Sequence, residues 1–358
     1  MAMKLTVLEE RGLTLAVQLD GLDVSYVNGI RRVMLSDVPV VCLRTAPFDK
    51  SECVVSANTT SLSNDVVKQR IGCLPVCLFK NPDIMRHYGE YYVKLDVVNE
   101  TPSPLYVTTM DMHVIHKITG DHLVTSDVFP PFHFKGTDHY VDLFLLQPKL
   151  TERKAERITL ESMFSIGSGK ECGKYNAVTA CALTGVIDPV RRDEAKAKYA
   201  AAGGGARTAM DLSNWDAIEA PRYTVSGSHV LTFESAGAYE NVAILRVALT
   251  VLTAKFVALA HSLQSDARPK DSMPNCFYVT LPACSYTEGN ILAYEVFQTL
   301  MEGTGGVTYV AFERLHPHDP DGVLKVAFAA PDTDVVGTLA RLIEDRILPQ
   351  LEELLTLV

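Results

Sequence analysis

The spacing of apolar residues changes several times along the chain, and each change marks an element. Residues 3–20, "MKLTVLEERGLTLAVQLD", alternate apolar and polar positions and predict a hairpin turning near Arg11-Gly12. The following run, "VNGIRRVMLSDVP" (27–39), moves to helical spacing. Val27, Ile30 and Met34 fall on one face, Asp23 or Ser25 can cap the start, and Pro39 limits continuation. Arg31 projects into that apolar stripe, whereas Arg32 projects to the opposite flank beside Asn28, Gly29 and Ser36. "VPVVCLRT" (38–45) reads as a strand, and 62–71 as a short helix capped by Ser61 or Ser63 and ended by Gly72 and Pro75. Residues 80–183 are strand-rich, with runs such as "YYVKLDVVNE" and "RITLESMFSIG" separated by Pro, Gly and Asn.

Composition then shifts. Residues 187–220, which include "AAAGGGA", read as a flexible connection with a short helix around 193–202. "YTVSGSHVLTFESAGAY" (223–239) reads as a hairpin-like unit, followed by a long helix over 240–264. Its stripe is Val242, Leu245, Leu249, Leu252, Phe256 and Leu259. "SDARPKDSMPN" (265–275) reads as a linker. Beyond it come a strand at 276–283, a helix at 286–303 and a hairpin turning at 316–322. A second long helix over 332–357 ends the series, capped by Asp332 or Thr333 and kinked at Pro349. The fold class expected is α+β. Two αβ units each end in a long helix whose apolar stripe needs cover, and the economical cover is the other helix, which makes an internal pseudo-dimer. The expected domains are 1–45 plus 222–264, a β-rich insert at 46–186, a flexible insert at 187–221, the linker 265–275, and a second unit at 276–358.

The chain has 358 residues, 47% hydrophobic and 21% charged, which fits a globular protein of two or three domains. The apolar runs are expected to fall short of membrane-spanning length, and "MAMKLTVLEERG" lacks the layout of an export signal, so no membrane partner and an intracellular, reducing location are expected. The eight cysteines are then thiols. A net charge of −10 without a long basic run argues against a surface that itself grips nucleic acid.

Candidate chemistry is sparse. "GSGK" (167–170) fails as a phosphate loop, because Phe164 holds the first glycine position and Glu171 follows the lysine. Cys73 and Cys77 lack the second pair that a zinc site needs. His113 and His116 fall on opposite faces of a strand, and His316 and His318 sit in a turn. No nucleophile–base pair has convincing spacing, so no catalytic residue, metal or cofactor is expected. The two arginines remain: either they are solvated on an amphipathic helix, or they meet an acceptor on another segment or chain.

"LDVSYVNGIRRVMLSDVPV" resembles the signature of the α-like subunits of cellular RNA polymerases: the bacterial α amino-terminal domain, the archaeal D subunit and the third subunit of polymerase II. Asn28, Arg31, Arg32, Asp37 and Pro39 carry it. "NTTSLSNDVVKQRIGCLPV" is similar to the family's next block, through Asn58, Thr59, Asp65, Arg70, Ile71, Gly72, Leu74 and Pro75. "IGSGKECGKYNAV" resembles a third segment but carries Cys172, Gly173 and Tyr175 where the family has His, Ala and Trp. Residues from about 270 to 358 resemble the small partner, archaeal L or the eleventh subunit of polymerase II. Thr287, Gly289, Asn290, Ile291 and Leu292 match its motif, as do His316 and Pro317, while Tyr286 and Glu288 depart from it.

The resemblance implies a fused α-like heterodimer, as in large nucleocytoplasmic DNA viruses, located in host cytoplasm or nucleus and in the virion. Its role would be non-catalytic assembly of a DNA-directed RNA polymerase. Partners would be the two largest subunits and a small tenth- or twelfth-type subunit, with Asn28, Arg31, Arg32 and Arg70 facing the second-largest. The internal interface would draw on Val27, Ile30, Met34, Leu245, Leu249, Leu252, Phe256, Asn290, Ile291, Leu292, Leu339, Leu342 and Ile343. The alternative function is a stand-alone enzyme or ligand-binding module on the β-rich region.

Overall fold

A computed structural model of the chain describes residues 2–77, 82–150, 154–202, 208–263, 267–270, 273–331 and 334–358. The fold is mixed α+β. It divides into two compact units: Met1–Met34, Ala180–Glu234 and Leu245–Val358 form one, Leu35–Thr179 and Ser235–Ile244 the other.

The first unit begins with the expected hairpin, β1 (Lys4–Arg11) and β2 (Thr14–Asp20), with Gly12 in the left-handed region at the turn. Alternation buries Leu15, Val17 and Leu19 of β2. Helix α1 (Val24–Ser36) follows. Asp23 is its cap, accepting the Ser25 N–H at 2.8 Å.

The second unit continues with β3 (Val40–Leu43), β4 (Cys53–Asn58), α2 (Asn64–Gly72) and α3 (Pro82–His87). Ser63 caps α2 through the Val66 N–H. Then come β5 (Tyr91–Asn99), β6 (Leu105–Thr108), β7 (His113–His116), β8 (His122–Leu123) and the single turn α4 (Thr125–Val128). Strands β9 (Phe132–Phe134), β10 (Thr137–His139), β11 (Asp142–Leu146) and β12 (Glu156–Gly167) complete it. The main sheet runs β3-β12-β5-β7-β8, with β4 also on β12. β12 is its spine, burying Ile158, Leu160 and Phe164. The boundary at 45 is corrected here: β3 pairs with β12, Val40 opposite Gly167, so residues 38–45 belong to this unit.

The chain returns to the first unit through β13 (Val178–Ile187), α5 (Pro189–Ala201), α6 (Ala209–Ile218) and β14 (Thr224–Ser235), giving a sheet ordered β1-β2-β14-β13. Two further expectations are corrected. Residues 187–221 are mostly helical: Asp188 caps α5 ahead of Pro189, and Thr208 with Asp211 forms a capping box on α6. Trp215 anchors α6, stacked between Tyr199 and Tyr223. The glycines 203–205 lie outside the described residues. Residues 224–235 are one strand and not a hairpin. Gly227 takes a positive φ within it, and its carbonyl accepts the Gly21 N–H at 2.8 Å, so the glycine bends the strand without reversing it.

Helix α7 (Asn241–Ser262) leads to β15 (Ala267–Lys270), β16 (Cys276–Leu281), α8 (Tyr286–Glu295), β17 (Val307–Glu313), β18 (Gly322–Phe328), α9 (Val335–Leu342) and α10 (Leu348–Leu357). Their sheet runs β15-β16-β18-β17. Part of the expected linker is therefore an edge strand, where Pro269 is tolerated. Asp332 and Thr333 lie outside the described residues, and Asp334 caps α9 through the Gly337 N–H. A π-helical turn, Ile343–Ile347, lies between α9 and α10 just ahead of Pro349.

α7 also corrects the expectation about apolar runs. It is 22 residues long with mean hydropathy 2.0 over an 18-residue window, enough by length and composition to cross a membrane. Within the first unit its Leu245, Ala248, Leu249, Leu252, Phe256 and Leu259 are buried in the protein core. Both of its cations have partners on the same unit: Arg246 Nη2 donates to the Val358 carbonyl at 3.0 Å, and Lys255 pairs with Glu288.

Candidate functional site

α1 buries Tyr26, Val27, Gly29, Ile30, Val33 and Met34, more than one stripe can hold. The face that carries Gly29 and Arg32 is covered by α8. Three contacts run along the pair in opposite directions. Tyr26 Oη donates to Glu295 Oε1 at 2.8 Å. An ideal Cβ on Gly29 would lie 2.8 Å from Ile291 Cδ1. Arg32 Nε donates to Thr287 Oγ1 at 2.9 Å. Positions 26, 29 and 32 step by three, and 287, 291 and 295 step by four. An i±3 ridge on α1 thus meets an i±4 ridge on α8 in an antiparallel arrangement. Gly29 is the close-approach point, since a side chain there would separate the helices.

The candidate arginines separate by role. Arg32 is exposed, but its Nε is committed within the chain to Thr287. Arg31 is half-buried, and its Nε donates to Asn28 Oδ1 at 2.9 Å, one turn earlier. That bond orients the guanidinium and makes no use of its terminal nitrogens, which have no hydrogen bond among the described residues. Beside it, burial pushes the Cys181 thiol up to about 12 against the opposing Arg31 charge. Arg70 belongs to the second unit, where it is exposed on α2 and donates to the Asp142 carbonyl at 3.1 Å.

Val27, Ile30, Met34, Leu245, Leu249, Leu252, Phe256, Ile291, Leu292, Leu339, Leu342 and Ile343 are all buried. Asn290 is the correction, being exposed. It sits about 100° around α8 from Ile291, which turns it away from α1.

Sequence reading missed the polar groups that tie the helices together. Glu288 has a side chain only 4% exposed and pairs with Lys255 of α7 at 2.8 Å. Its other oxygen accepts from the Ser285 N–H at 2.9 Å and Oγ at 2.6 Å, closing a capping box on α8. Burial is the largest influence on this carboxyl and pushes it up. The Lys255 charge and the Ser285 bonds outweigh burial and hold it below the ordinary carboxylate value. The Ser285-x-x-Glu288 spacing was a readable signal. Glu295, at the end of α8, carried no such signal. Burial, then the Glu295 charge, pushes the Tyr26 hydroxyl far above its ordinary range.

The remaining motifs have structural explanations. In 167–170, the Lys170 N–H donates to the Ser36 carbonyl at 2.7 Å, and a Cβ on Gly169 would meet the Leu35 carbonyl at 2.5 Å. The loop closes on protein backbone. Cys73 is exposed and Cys77 buried. Among the described residues, no three His, Cys, Asp or Glu side chains are placed to hold a metal ion. His316 Nδ1 accepts the His318 N–H at 3.1 Å, as a turn residue does.

No protein-family model matches the chain, and no curated protein matches it.

Proposed function

We propose that the chain is a non-catalytic assembly subunit of a multisubunit DNA-dependent RNA polymerase. In this reading it is a fusion of the two α-like partners, and its αβ halves form an internal pseudo-dimer carrying a β-rich insert domain. The chain scaffolds the two largest subunits, and Asn28, Arg31 and Arg32 of α1, with Arg70, face the second-largest.

One observation carries the reading. The stretch that resembles the large α-like partner lies on α1, and the stretch that resembles the small partner lies on α8. These helices touch through Tyr26–Glu295, Gly29–Ile291 and Arg32–Thr287. Two motifs identified separately, more than 250 positions apart, thus meet as the two halves of a heterodimer would. The free donors of Arg31 suit carboxylates and carbonyls of another chain, because a planar fork binds them bidentately.

The test is a pull-down of the tagged full chain from its native source, with mass spectrometry of what accompanies it. Two very large polymerase chains are expected. Arg31→Ala should release them and leave the melting temperature of the isolated chain unchanged. Recovery of the chain alone, or retention of both large chains by the variant, would overturn the assignment to Arg31 or the assembly role itself.

A further inference from the structure

A cleft of about 480 Å³ opens in the first unit, within the size range of ligand sites. Asp23, Glu295, Asp345 and Glu353 line it, with Arg346 as the one cation among the described lining residues, so carboxylates dominate its field. Glu295 is the unusual member. It is only 2% exposed. Its Oε1 accepts from Tyr26 Oη at 2.8 Å and from Gln350 Nε2 at 3.0 Å, both neutral donors. Its Oε2 has no hydrogen bond, and Glu295 makes no ion pair, among the described residues; that oxygen is not one of the fully buried unpaired atoms and so opens to the cleft. A side chain held in the protein by Oε1, with Oε2 open to the cleft, presents a positioned acceptor to a cationic ligand. Tyr294, half-buried, adds an aromatic ring to the same wall.

From this arrangement we infer that the cleft binds an organic cation, an alkylammonium or guanidinium group carried on a flexible chain, with Glu295 as its buried anchor. An ammonium or guanidinium donor supplies the charge-assisted hydrogen bond that Oε2 lacks. The Tyr294 ring offers a cation–π face. A bare divalent metal fits poorly, since no three acidic side chains converge on a point among the described residues. The carboxylates are spread instead. Asp345 and Glu353 are eight residues apart on the last helical segment, about 12 Å at helical rise. That spread matches two or more cationic groups along one chain. The field has a further sign in Tyr294, whose hydroxyl is pushed up by burial first and then by Asp23, Glu295 and Glu302. This assignment does not depend on a polymerase role.

Two sources share this chemistry: a free aliphatic polyamine, and basic side chains on a segment of another protein. The experiment titrates the full chain calorimetrically at low salt with spermidine, and separately with a short arginine-containing peptide. Saturable one-to-one binding of either is expected. Asp345→Asn combined with Glu353→Gln, both exposed, should weaken it by about tenfold or more. Glu9→Gln combined with Glu10→Gln, exposed on β1 away from the cleft lining, should leave it unchanged. Tighter spermidine binding identifies a polyamine site, and tighter peptide binding a docking point for basic side chains. Absence of saturable binding to both probes, or equal weakening by both double variants, would overturn the inference, the latter by showing general attraction to an acidic protein.

Discussion

Gly29→Ala tests the α1–α8 contact directly, because two opposing effects can be weighed from the structure. Gly29 lies within α1, where alanine is favoured over glycine by about 1 kcal/mol. Its new Cβ, however, would stand 2.8 Å from Ile291 Cδ1, and Ile291 is fully buried. Overpacking of a core costs about 1–3 kcal/mol. The clash should win, leaving a net loss of about 1 kcal/mol. Ile291→Val removes the offending methyl, and the next atoms, Ile291 Cγ1 and Thr287 Cγ2, stand at 3.7 Å, ordinary contact. In that background Gly29→Ala should change sign and stabilise by about 1 kcal/mol. Ile291→Val alone should cost about 0.5–1.5 kcal/mol. The coupling in the double-mutant cycle is therefore about 1–3 kcal/mol. Urea unfolding can be followed by Trp215, the one tryptophan of the chain, which is buried in the same unit between Tyr199 and Tyr223. If Gly29→Ala stabilises both backgrounds equally, the helices do not approach at this glycine and the packing described here is wrong.

Three further outcomes are expected. Because Glu288 is held below its ordinary value of 4.5, the unfolded chain takes up this proton first on acidification. The stabilisation is therefore complete above about pH 4.5 and lost as pH falls through the lower folded value. Urea midpoints of the native chain and Glu288→Gln should converge below that pH, and parallel curves would refute the pairing; Lys255→Met at neutral pH should cost about 2 kcal/mol, less than for a fully buried pair. Gly289→Ala should destabilise by about 2 kcal/mol, because its Cβ would enter the Phe312 ring, which Gly322 also approaches closely. Phe312→Leu should recover part of that loss in thermal melts. Iodoacetamide at pH 8 should label the exposed Cys73 and Cys172 first in the folded chain. Burial pushes Cys42 up to about 11 and Cys181 up to about 12, so peptide mapping should find both protected until urea is added.

What the sequence determined by itself is mostly local. Alternation over 3–20, the helical spacing of Val27, Ile30 and Met34, the Ser63 cap and the stripe of α7 all depend on neighbours within a turn or two, and each appears in the fold. Other local signals were present but obscured. Asp188-Pro189 and the Thr208–Asp211 box mark two helices inside a stretch whose alanine and glycine content suggested a flexible connection. Tertiary structure decided the rest, because the deciding partner lies far along the chain. β3 joins the second unit through β12, more than 120 positions later. Gly29 is a packing residue only because Ile291 arrives against it. Arg32 is partly spent on Thr287, while Arg31 keeps its terminal donors because Asn28 takes only the Nε. Glu295 becomes a buried acidic side chain in a cleft only after four segments converge on it. Periodicity assigns a residue to a face, but what covers that face is set by chain topology, and the environment of a charge depends on that cover.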